Sequence, residues 1–387
     1  MSLLITGSTG FLGNNFLHIL QKNEYSHSIY LLIRDKKNQN AMERFLEMKN
    51  VFHKLNLHLI DIDLLQICSL DLKVDFIIHC AASISFDLDL QEAVKQNVDN
   101  VIEIIKFANR NKIPNIIHVS TAFVCEHGRP VKESFVSFKF LGNPIELYEK
   151  IKSGETTFSK IINKKFFPNT YCFTKCLAEK IIENEIKKNK SKIKFTIIRP
   201  SIITNALKLP YPGWFRGFNT TIGIHKLIVS GIMDVIVLNK HLVLDYVPVD
   251  LVSKNIYESI YTNPKKYKIN MVTSHLQITS EHFSLFKKYN PRFEFVENDS
   301  FMYYFSKYQK LFQMFMVGLY FYFFSFLDKK YMNKYQKTFQ YMNIFNNTQK
   351  TFYYFYNYPH SFSKNKIQFD EEYFLLMNDS IKNFQHI

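Results

Sequence analysis

Three glycines within the first thirteen residues constrain the fold more than any other feature of this chain. Gly7, Gly10 and Gly13 lie in TGSTGFLG, between the apolar run SLLIT and a segment with apolar residues at helical spacing, 11–21. The order is strand, tight turn and helix. In such a unit the helix N-terminus faces a dinucleotide pyrophosphate, and glycines stand where backbone meets phosphate. The predicted cofactor contacts in this stretch are Gly7, Thr9, Gly10, Phe11, Leu12 and Gly13.

Apolar runs alternate with helical segments along the first half of the chain. Short apolar strands that alternate with helices are typical of parallel strands covered on both faces. The sequence therefore predicts an α/β fold with a Rossmann-type doubly wound parallel sheet. The predicted strands are 2–6, 28–34, 55–62, 74–82, 115–124 and 194–202, and the predicted helices are 11–21, 39–49, 90–110 and 170–188.

Composition and charge narrow the class of protein. The 387 residues carry 49 basic and 34 acidic side chains, a net charge of +15, which suits nucleic acid, an anionic membrane or phosphorylated ligands, or reflects many solvated lysines. No basic aromatic motif supports nucleic-acid binding. The five cysteines follow neither zinc nor disulfide spacing, so we expect a reducing compartment and no structural metal.

The residues after the second predicted strand indicate which dinucleotide the site prefers. The strand ends in LLIRDKK, which places Arg34 where a guanidinium would bind a 2′-phosphate, with Lys36 and Lys37 behind it. This pattern favours NADPH, although Asp35 complicates the interpretation and the two lysines also suit a solvated loop. Asp63, after the third strand, either meets the adenine amino group or caps a helix.

One helix carries a tyrosine and a lysine with the spacing of an acid–base pair. Tyr171 and Lys175 are four residues apart in TYCFTK and share a helix face. A nearby cation lowers the pKa of a phenol, which otherwise titrates near pH 10. Ser120 and Thr121 lie toward the carboxyl end of an earlier predicted strand, where hydroxyls can stabilise charge that develops on a carbonyl oxygen. His79 and the two cysteines that flank the pair, Cys172 and Cys176, are interpreted as core residues.

These motifs together resemble the extended short-chain dehydrogenase/reductases and, within them, the fatty acyl-CoA reductases of the male-sterility family and the related thioester reductase domains. The resemblance covers roughly residues 1–260 and also includes IYLLIRDKK, HCAASISFD, HVSTAFV, IIRPSII, PGW and DYVPVDLV in the family's order. It implies hydride transfer from NADPH to a long-chain acyl thioester, carried by CoA or by a carrier protein. The product would be an aldehyde or an alcohol.

The resemblance also implies residue roles. Tyr171 would donate a proton, and Lys175 would be its electrostatic partner and a ribose ligand. Thr121 would polarise the carbonyl group, with Ser120 beside it, and Asn97 would support the proton relay. Ala81, Pro200 and Ser201 would contact the cofactor. Trp214 of PGW is either a pocket wall or a structural anchor.

Two departures from the family pattern affect the substrate side. Asn100 follows Asn97-Val98-Asp99 where the family has glycine, and Ser85 stands where a basic residue is frequent. The long stretch between Thr121 and Tyr171 contains an insertion at about 126–168, which forms either a flap over an acyl chain or a surface excursion. Two alternative functions stay open. One is another extended reductase or epimerase that acts on a sugar nucleotide, steroid or lipid. The other, from a different class, is a noncatalytic dinucleotide-binding scaffold.

The predicted domains are an NADP-binding domain at 1–275, with its substrate-binding part mainly at 204–275, and a helical, aromatic-rich C-terminal region at 280–387. The segment 311–327 has no charged residue and basic flanks. It suits peripheral contact with a membrane interface, a buried core helix or, least well, a transmembrane span. The N-terminus lacks a signal-peptide pattern, so we expect a cytoplasmic protein, attached to the cytosolic face of a membrane if 311–327 makes that contact.

Overall fold

A computed structural model of the chain describes residues 1–36, 39–86, 88–124, 132–137, 142–157, 167, 169–188, 192–218, 220–231, 233–237, 243–273, 276–279, 281–296 and 371–383. The described residues form two compact units. The first, which we call the sheet unit, comprises the described parts of 1–217 and 245–276. The second, the small unit, comprises those of 218–244, 277–296 and 371–383.

The strands are short and largely apolar. β1 is fully buried, as expected for a strand covered on both faces. The strands are β1 Leu3–Thr6, β2 Ile29–Leu32, β3 Leu57–Ile60, β4 Phe76–His79, β5 Asn115–Val119, β6 Lys194–Pro200, β7 Ile202–Thr204, β8 Val235–Val237, β9 Val243–Pro248, β10 Tyr267–Val272, β11 Leu276–Thr279 and β12 Glu294–Val296.

Nine α-helices are described, and several short helical turns join them. The helices are α1 Phe11–Lys22, α2 Ala41–Val51, α3 Leu90–Val94, α4 Asn100–Arg110, α5 Pro144–Lys152, α6 Thr170–Lys188, α7 Thr220–Val229, α8 Val249–Ile260 and α9 Glu371–Asn383.

Seven parallel strands form the sheet of the sheet unit, in the order β10-β6-β5-β4-β1-β2-β3. The chain moves outward from β1 through β2 to β3, and then returns to the other side of β1 with β4. A ligand in such a fold binds outside the carboxyl ends of the strands at this switch point. The predicted doubly wound fold is therefore confirmed, and it brings the ends of β1, β4 and β5 to one edge.

The predicted helix over 90–110 is interrupted. A π-helical turn, Lys95–Asp99, separates α3 from α4. Such turns insert one residue into a helix and redirect the side chains around them, often at functional sites. Asn97 lies in this turn, and its side chain bonds outside the helix.

The small unit is built around buried aromatic side chains. His225 of α7 contacts Phe286 and Phe374 edge to face, and its Nδ1 hydrogen bonds with Asn378 Oδ1 of α9 at 2.9 Å. Burial lowers the pKa of His225 to about 3. Among the described residues no helix has the length and apolar character needed to cross a membrane. The segment 311–327 lies outside the described residues.

Candidate active site

The turn after β1 has no room for side chains at two of its glycines. Gly7 has a φ of +73°, and a Cβ built on it would lie 2.6 Å from the backbone nitrogen of Ala81. A Cβ on Gly13 would lie 2.3 Å from the carbonyl oxygen of Gly7. Gly13 therefore lets the start of α1 pack directly against the turn, and Gly7 lets the turn pack against the segment that follows β4, where Ala81 was predicted to contact the cofactor.

The N-terminus of α1 presents backbone N–H groups without a side-chain cap. Gly10 is its N-cap and contributes no side-chain hydrogen bond, so the first-turn N–H groups at Phe11, Leu12 and Gly13 lie at the positive end of the helix dipole. Ser8 Oγ is buried without a hydrogen-bond partner within the described part of the chain. This concave, glycine-lined end fits an anionic pyrophosphate.

Asp35, after β2, and Asp63, after β3, each accept a hydrogen bond from a nearby backbone N–H group. Asp35 Oδ1 accepts a hydrogen bond from Ala41 N at the start of α2, at 2.8 Å. Asp63 Oδ1 caps the following short helical turn by accepting from Leu65 N at 2.9 Å, as one of its two predicted roles required, and its predicted contact with the adenine stays a prediction. Arg34 is 70% exposed and lies 3.6 Å from Asp63 Oδ2. Lys36 is exposed, and Lys37 lies outside the described residues.

Two further arginines, missed in the sequence, gather near Arg34. Arg44 Nη2 donates to Thr9 Oγ1 at 2.6 Å, and Arg44 also donates to the carbonyl oxygen of Arg34. Arg216 Nε donates to the carbonyl oxygen of Thr9 at 3.2 Å. Burial lowers the pKa of Arg44, and the charges of Arg34 and Arg216 lower it further. Two guanidinium groups thus bind Thr9 of the glycine turn, and the third, that of Arg34, lies beside Asp63; only the position of Arg34 carried a recognisable signal.

The predicted catalytic residues come together at the carboxyl end of β5. The side chain of Thr121 is near enough to the phenol of Tyr171 to lower its pKa. Lys175 lies one turn further along α6, and its Nζ donates to the carbonyl oxygen of Val119 at 2.7 Å. Thr121 and Lys175 are each only 3% exposed, so these contacts are shielded from water.

The electrostatics of this group are set mainly by burial. Burial lowers the pKa of Lys175 to about 8, and the charges of Cys80 and Glu179 oppose that shift. Burial raises the pKa of Tyr171, and the nearby Thr121 hydroxyl opposes the rise. The lowered phenol pKa that the sequence predicts is therefore wrong for this structure, because burial outweighs the effect of Thr121.

Asn97 is buried and uses its amide on the segment after β4. Its Oδ1 accepts from Ser83 N at 2.8 Å, and its Nδ2 donates to Ser83 O at 3.1 Å and to Thr174 Oγ1 at 3.0 Å. These bonds fix the segment after β4 against α6. They reach the neighbour of Lys175 in sequence rather than Lys175 itself, so the predicted part of Asn97 in proton transfer stays a prediction.

The remaining predicted cofactor residues lie at the ends of neighbouring strands. Ser120 follows β5, and its Oγ donates to Glu179 Oε1 at 2.5 Å. Pro200 ends β6. Ser201 is buried, and no described residue hydrogen bonds with its Oγ. His79, predicted to be a core residue, is buried and hydrogen bonds with Thr6 Oγ1 at 2.8 Å.

The motifs PGW and VPVD form one structure. The carboxylate of Asp250 accepts hydrogen bonds from Leu207, Lys208 and Leu209 N at 2.8–3.1 Å, and so holds the loop that leads to Trp214. The indole of Trp214 stacks on Phe11 of α1 with ring centroids 5.6 Å apart. Trp214 thus anchors the loop on the first helix, which is one of the two alternatives predicted for it.

The fold and this site define a Rossmann-type domain of the extended short-chain dehydrogenase/reductase class that binds a nicotinamide dinucleotide. Residues 5–256 match the family model described as male sterility protein. The chain belongs to this family, as its motifs predicted.

Relatives of known name agree with this assignment. The chain is 31% identical over 277 residues to fatty acyl-CoA reductase 1 of Xenopus laevis and 30% identical over 276 residues to fatty acyl-CoA reductase 1 of Homo sapiens. Each alignment covers 65% of this chain and 52% of the relative. The chain therefore matches about half the length of these relatives.

Solved structures share the fold at low sequence identity. The terminal R domain of the myxalamid biosynthetic pathway matches with a TM-score of 0.65 and 16% identity, over 100% of this chain and 91% of that one. MoeE5, solved with UDP-glucuronic acid and NAD, matches with a TM-score of 0.55 and 13% identity, over 77% of this chain and 86% of that one.

Proposed function

We propose that this chain reduces fatty acyl thioesters with NADPH. The observation that carries the proposal is the contact between the Thr121 side chain and the Tyr171 phenol, with Lys175 one helical turn away at the carboxyl end of β5. Relatives named fatty acyl-CoA reductases support the substrate class, and the glycine turn supports the cofactor class.

The residues present fit a phosphorylated dinucleotide. The pyrophosphate would lie at the N-terminus of α1, where a side chain at Gly7 or Gly13 would collide with backbone. Arg34, Arg44 and Arg216 would hold the 2′-phosphate, because guanidinium groups bind phosphate oxygens through paired, charge-assisted hydrogen bonds. The Asp35 carboxylate, which would repel that phosphate, is engaged by the N–H group of Ala41.

The side chains of Thr121, Tyr171 and Lys175 near the end of β5 would bind the carbonyl oxygen of the substrate and supply its proton. When bound, the cofactor supplies the hydride that reduces the thioester carbon. Thr121 and Tyr171 would hold the carbonyl oxygen, and the phenol would donate the proton that this oxygen needs as negative charge develops on it. Lys175 would stabilise the phenolate left behind. Loss of the thiol then gives an aldehyde, and a second reduction would give an alcohol.

Turnover of palmitoyl-CoA tests the proposal directly. The purified chain is mixed with NADPH and palmitoyl-CoA, and NADPH oxidation is followed together with the release of free thiol. We expect Tyr171→Phe to lower kcat by about 10²–10⁴-fold, the usual contribution of a general acid, with little change in NADPH affinity. The ratio of NADPH consumed to thiol released separates an aldehyde product, at one, from an alcohol product, at two.

A second tyrosine provides the matched control. Tyr148 of α5 donates its hydroxyl hydrogen bond to Asp99 Oδ1 at 2.9 Å rather than to Thr121. Tyr148→Phe should therefore retain activity. Consumption of NADPH that does not depend on the thioester, or equal activity in Tyr171→Phe and the wild type, would refute the proposed function. UDP-glucose in place of palmitoyl-CoA tests the sugar-nucleotide alternative.

A further inference from the structure

A fully buried ion pair lies next to Ser120, the residue that precedes Thr121 of the candidate active site. Arg199 of β6 binds Glu179 of α6 through two hydrogen bonds, Nε to Oε1 at 2.9 Å and Nη2 to Oε2 at 2.5 Å. The side chains are 0% and 2% exposed. Arg199 Nη1 also donates to the carbonyl oxygen of Lys132 at 2.8 Å. Burying two charges is expensive, and apolar residues of similar size often serve stability as well or better.

The carboxylate also has a partner on the active-site strand. Ser120 Oγ donates to Glu179 Oε1 at 2.5 Å, and Ser120 directly precedes Thr121, which contacts the phenol of Tyr171. Because the hydroxyl proton of Ser120 is committed to Glu179, the Ser120 oxygen faces other groups only as an acceptor. The pair therefore fixes both the position and the hydrogen-bonding direction of this residue.

Glu179 also follows Lys175 by four residues, which places the two on one face of α6. The carboxylate attracts the ammonium group and opposes the effect of burial on its pKa. The other titratable groups coupled to Lys175 are His79 and Cys80, at the end of β4, and His118, on β5. Burial lowers the pKa of both histidines and raises that of Cys80 to about 12.

We propose that Glu179, balanced by Arg199, is a positioning residue that holds Ser120 as an acceptor and keeps Lys175 protonated. This inference rests on the proposed function for its kinetic consequences. Its predicted effect on NADPH affinity does not depend on the acyl substrate, because Ser120 and Lys175 are both predicted cofactor ligands. Arg199 prevents the carboxylate from being an uncompensated buried charge.

The first experiment compares two glutamates of α6. Glu179→Gln is measured against Glu183→Gln, whose carboxylate binds Lys180 and Lys187 instead. Removal of the Glu179 charge makes the ammonium of Lys175 easier to deprotonate, so the high-pH decline of kcat should begin at lower pH. Misplacement of Ser120 should lower kcat by up to about 100-fold at neutral pH. Glu183→Gln should keep the wild-type pH profile.

The second experiment separates positioning from stability. In the double variant E179L/R199M both charges are absent, so the melting temperature should recover relative to E179Q. The inference predicts that NADPH affinity and the pH profile do not recover with it. If stability, NADPH affinity and the pH profile all recover in the double variant, the ion pair is merely structural. The same conclusion follows if E179Q and E183Q have the same NADPH affinity and the same pH profile. If the wild-type protein binds NADPH but does not turn over thioesters, the proposed function is refuted. The positioning role of Glu179 is then still tested by comparing the NADPH affinity of E179Q with that of E183Q.

Discussion

The glycine turn at residues 7–13 and the catalytic group on β5 and α6 meet the same edge of the sheet, but different interactions fix them. The turn is held by backbone: Gly10 N donates to Gly7 O at 3.0 Å, and added side chains at Gly7 or Gly13 would overlap main-chain atoms. The catalytic group is held by buried side chains, among them Thr121, Glu179 and Arg199. The first region tolerates almost no added volume, whereas the second depends on charge and on complete hydrogen bonding.

This difference determines which kinds of change disrupt each region. A backbone turn responds to steric change and is insensitive to pH, since none of its contacts titrates. A buried polar network responds to the loss of any one partner, because an unsatisfied or unpaired group in a dry interior is strongly unfavourable. Three substitutions, taken from the largest expected effect to the smallest, test this contrast.

The largest effect is expected at Gly7. Gly7→Ala combines a left-handed backbone with direct overlap on Ala81, so the free energy of unfolding should fall by about 2–5 kcal/mol. Gly142 has a φ of +76° and no atom near its Cβ position, so Gly142→Ala isolates the backbone effect, about 1–2 kcal/mol. Urea unfolding of both variants measures the difference. Equal losses would show that packing against Ala81 is unimportant.

An intermediate effect is expected at the arginines. Arg44→Gln should weaken NADPH binding by about 10- to 100-fold, the value of one or two hydrogen bonds to a charged phosphate, and leave NADH binding nearly unchanged. The quenching or enhancement of cofactor fluorescence measures both affinities. Arg110 binds the carbonyl oxygen of Cys68 and serves as the matched control in Arg110→Gln. Parallel weakening of NADPH and NADH would contradict a 2′-phosphate contact.

The smallest effect concerns pH. Burial lowers the pKa of His79 to about 3, below its value near 6.5 in an unfolded chain, so the unfolded state binds more protons below pH 6.5. The stability that His79 contributes above that pH should fall by up to about 1.4 kcal/mol per pH unit between pH 6 and pH 4. Buried His118 and His225 add slopes of the same sign. His79→Asn should therefore reduce the total slope in urea unfolding by the share of one histidine, while the same change at exposed His53 should not. Equal slopes in all three proteins would refute this.

The sequence predicted the backbone-determined region well. Glycine spacing and apolar alternation are local patterns, and they correctly indicated the doubly wound sheet and the turn that begins α1. Tyr171 and Lys175 were also identifiable because they share one helix.

The rest depends on residues that are distant in sequence. Glu179 meets Ser120 and Arg199 only after three elements have assembled, and Arg44 and Arg216 reach Thr9 from 35 and 207 positions along the chain. The π-helical turn at Lys95–Asp99 leaves no periodic signal, since one inserted residue barely changes apolar spacing over 90–110.

The contact between His225 and Asn378 limits how early in synthesis the small unit can assemble. The two residues are 153 positions apart, and their contact helps to bury Phe374 and Met377 of α9. At a synthesis rate of about 5–20 residues per second, α7 emerges about 8–30 s before its partner helix exists. The contact that helps to bury Phe374 and Met377 can therefore form only after most of the chain has been synthesised.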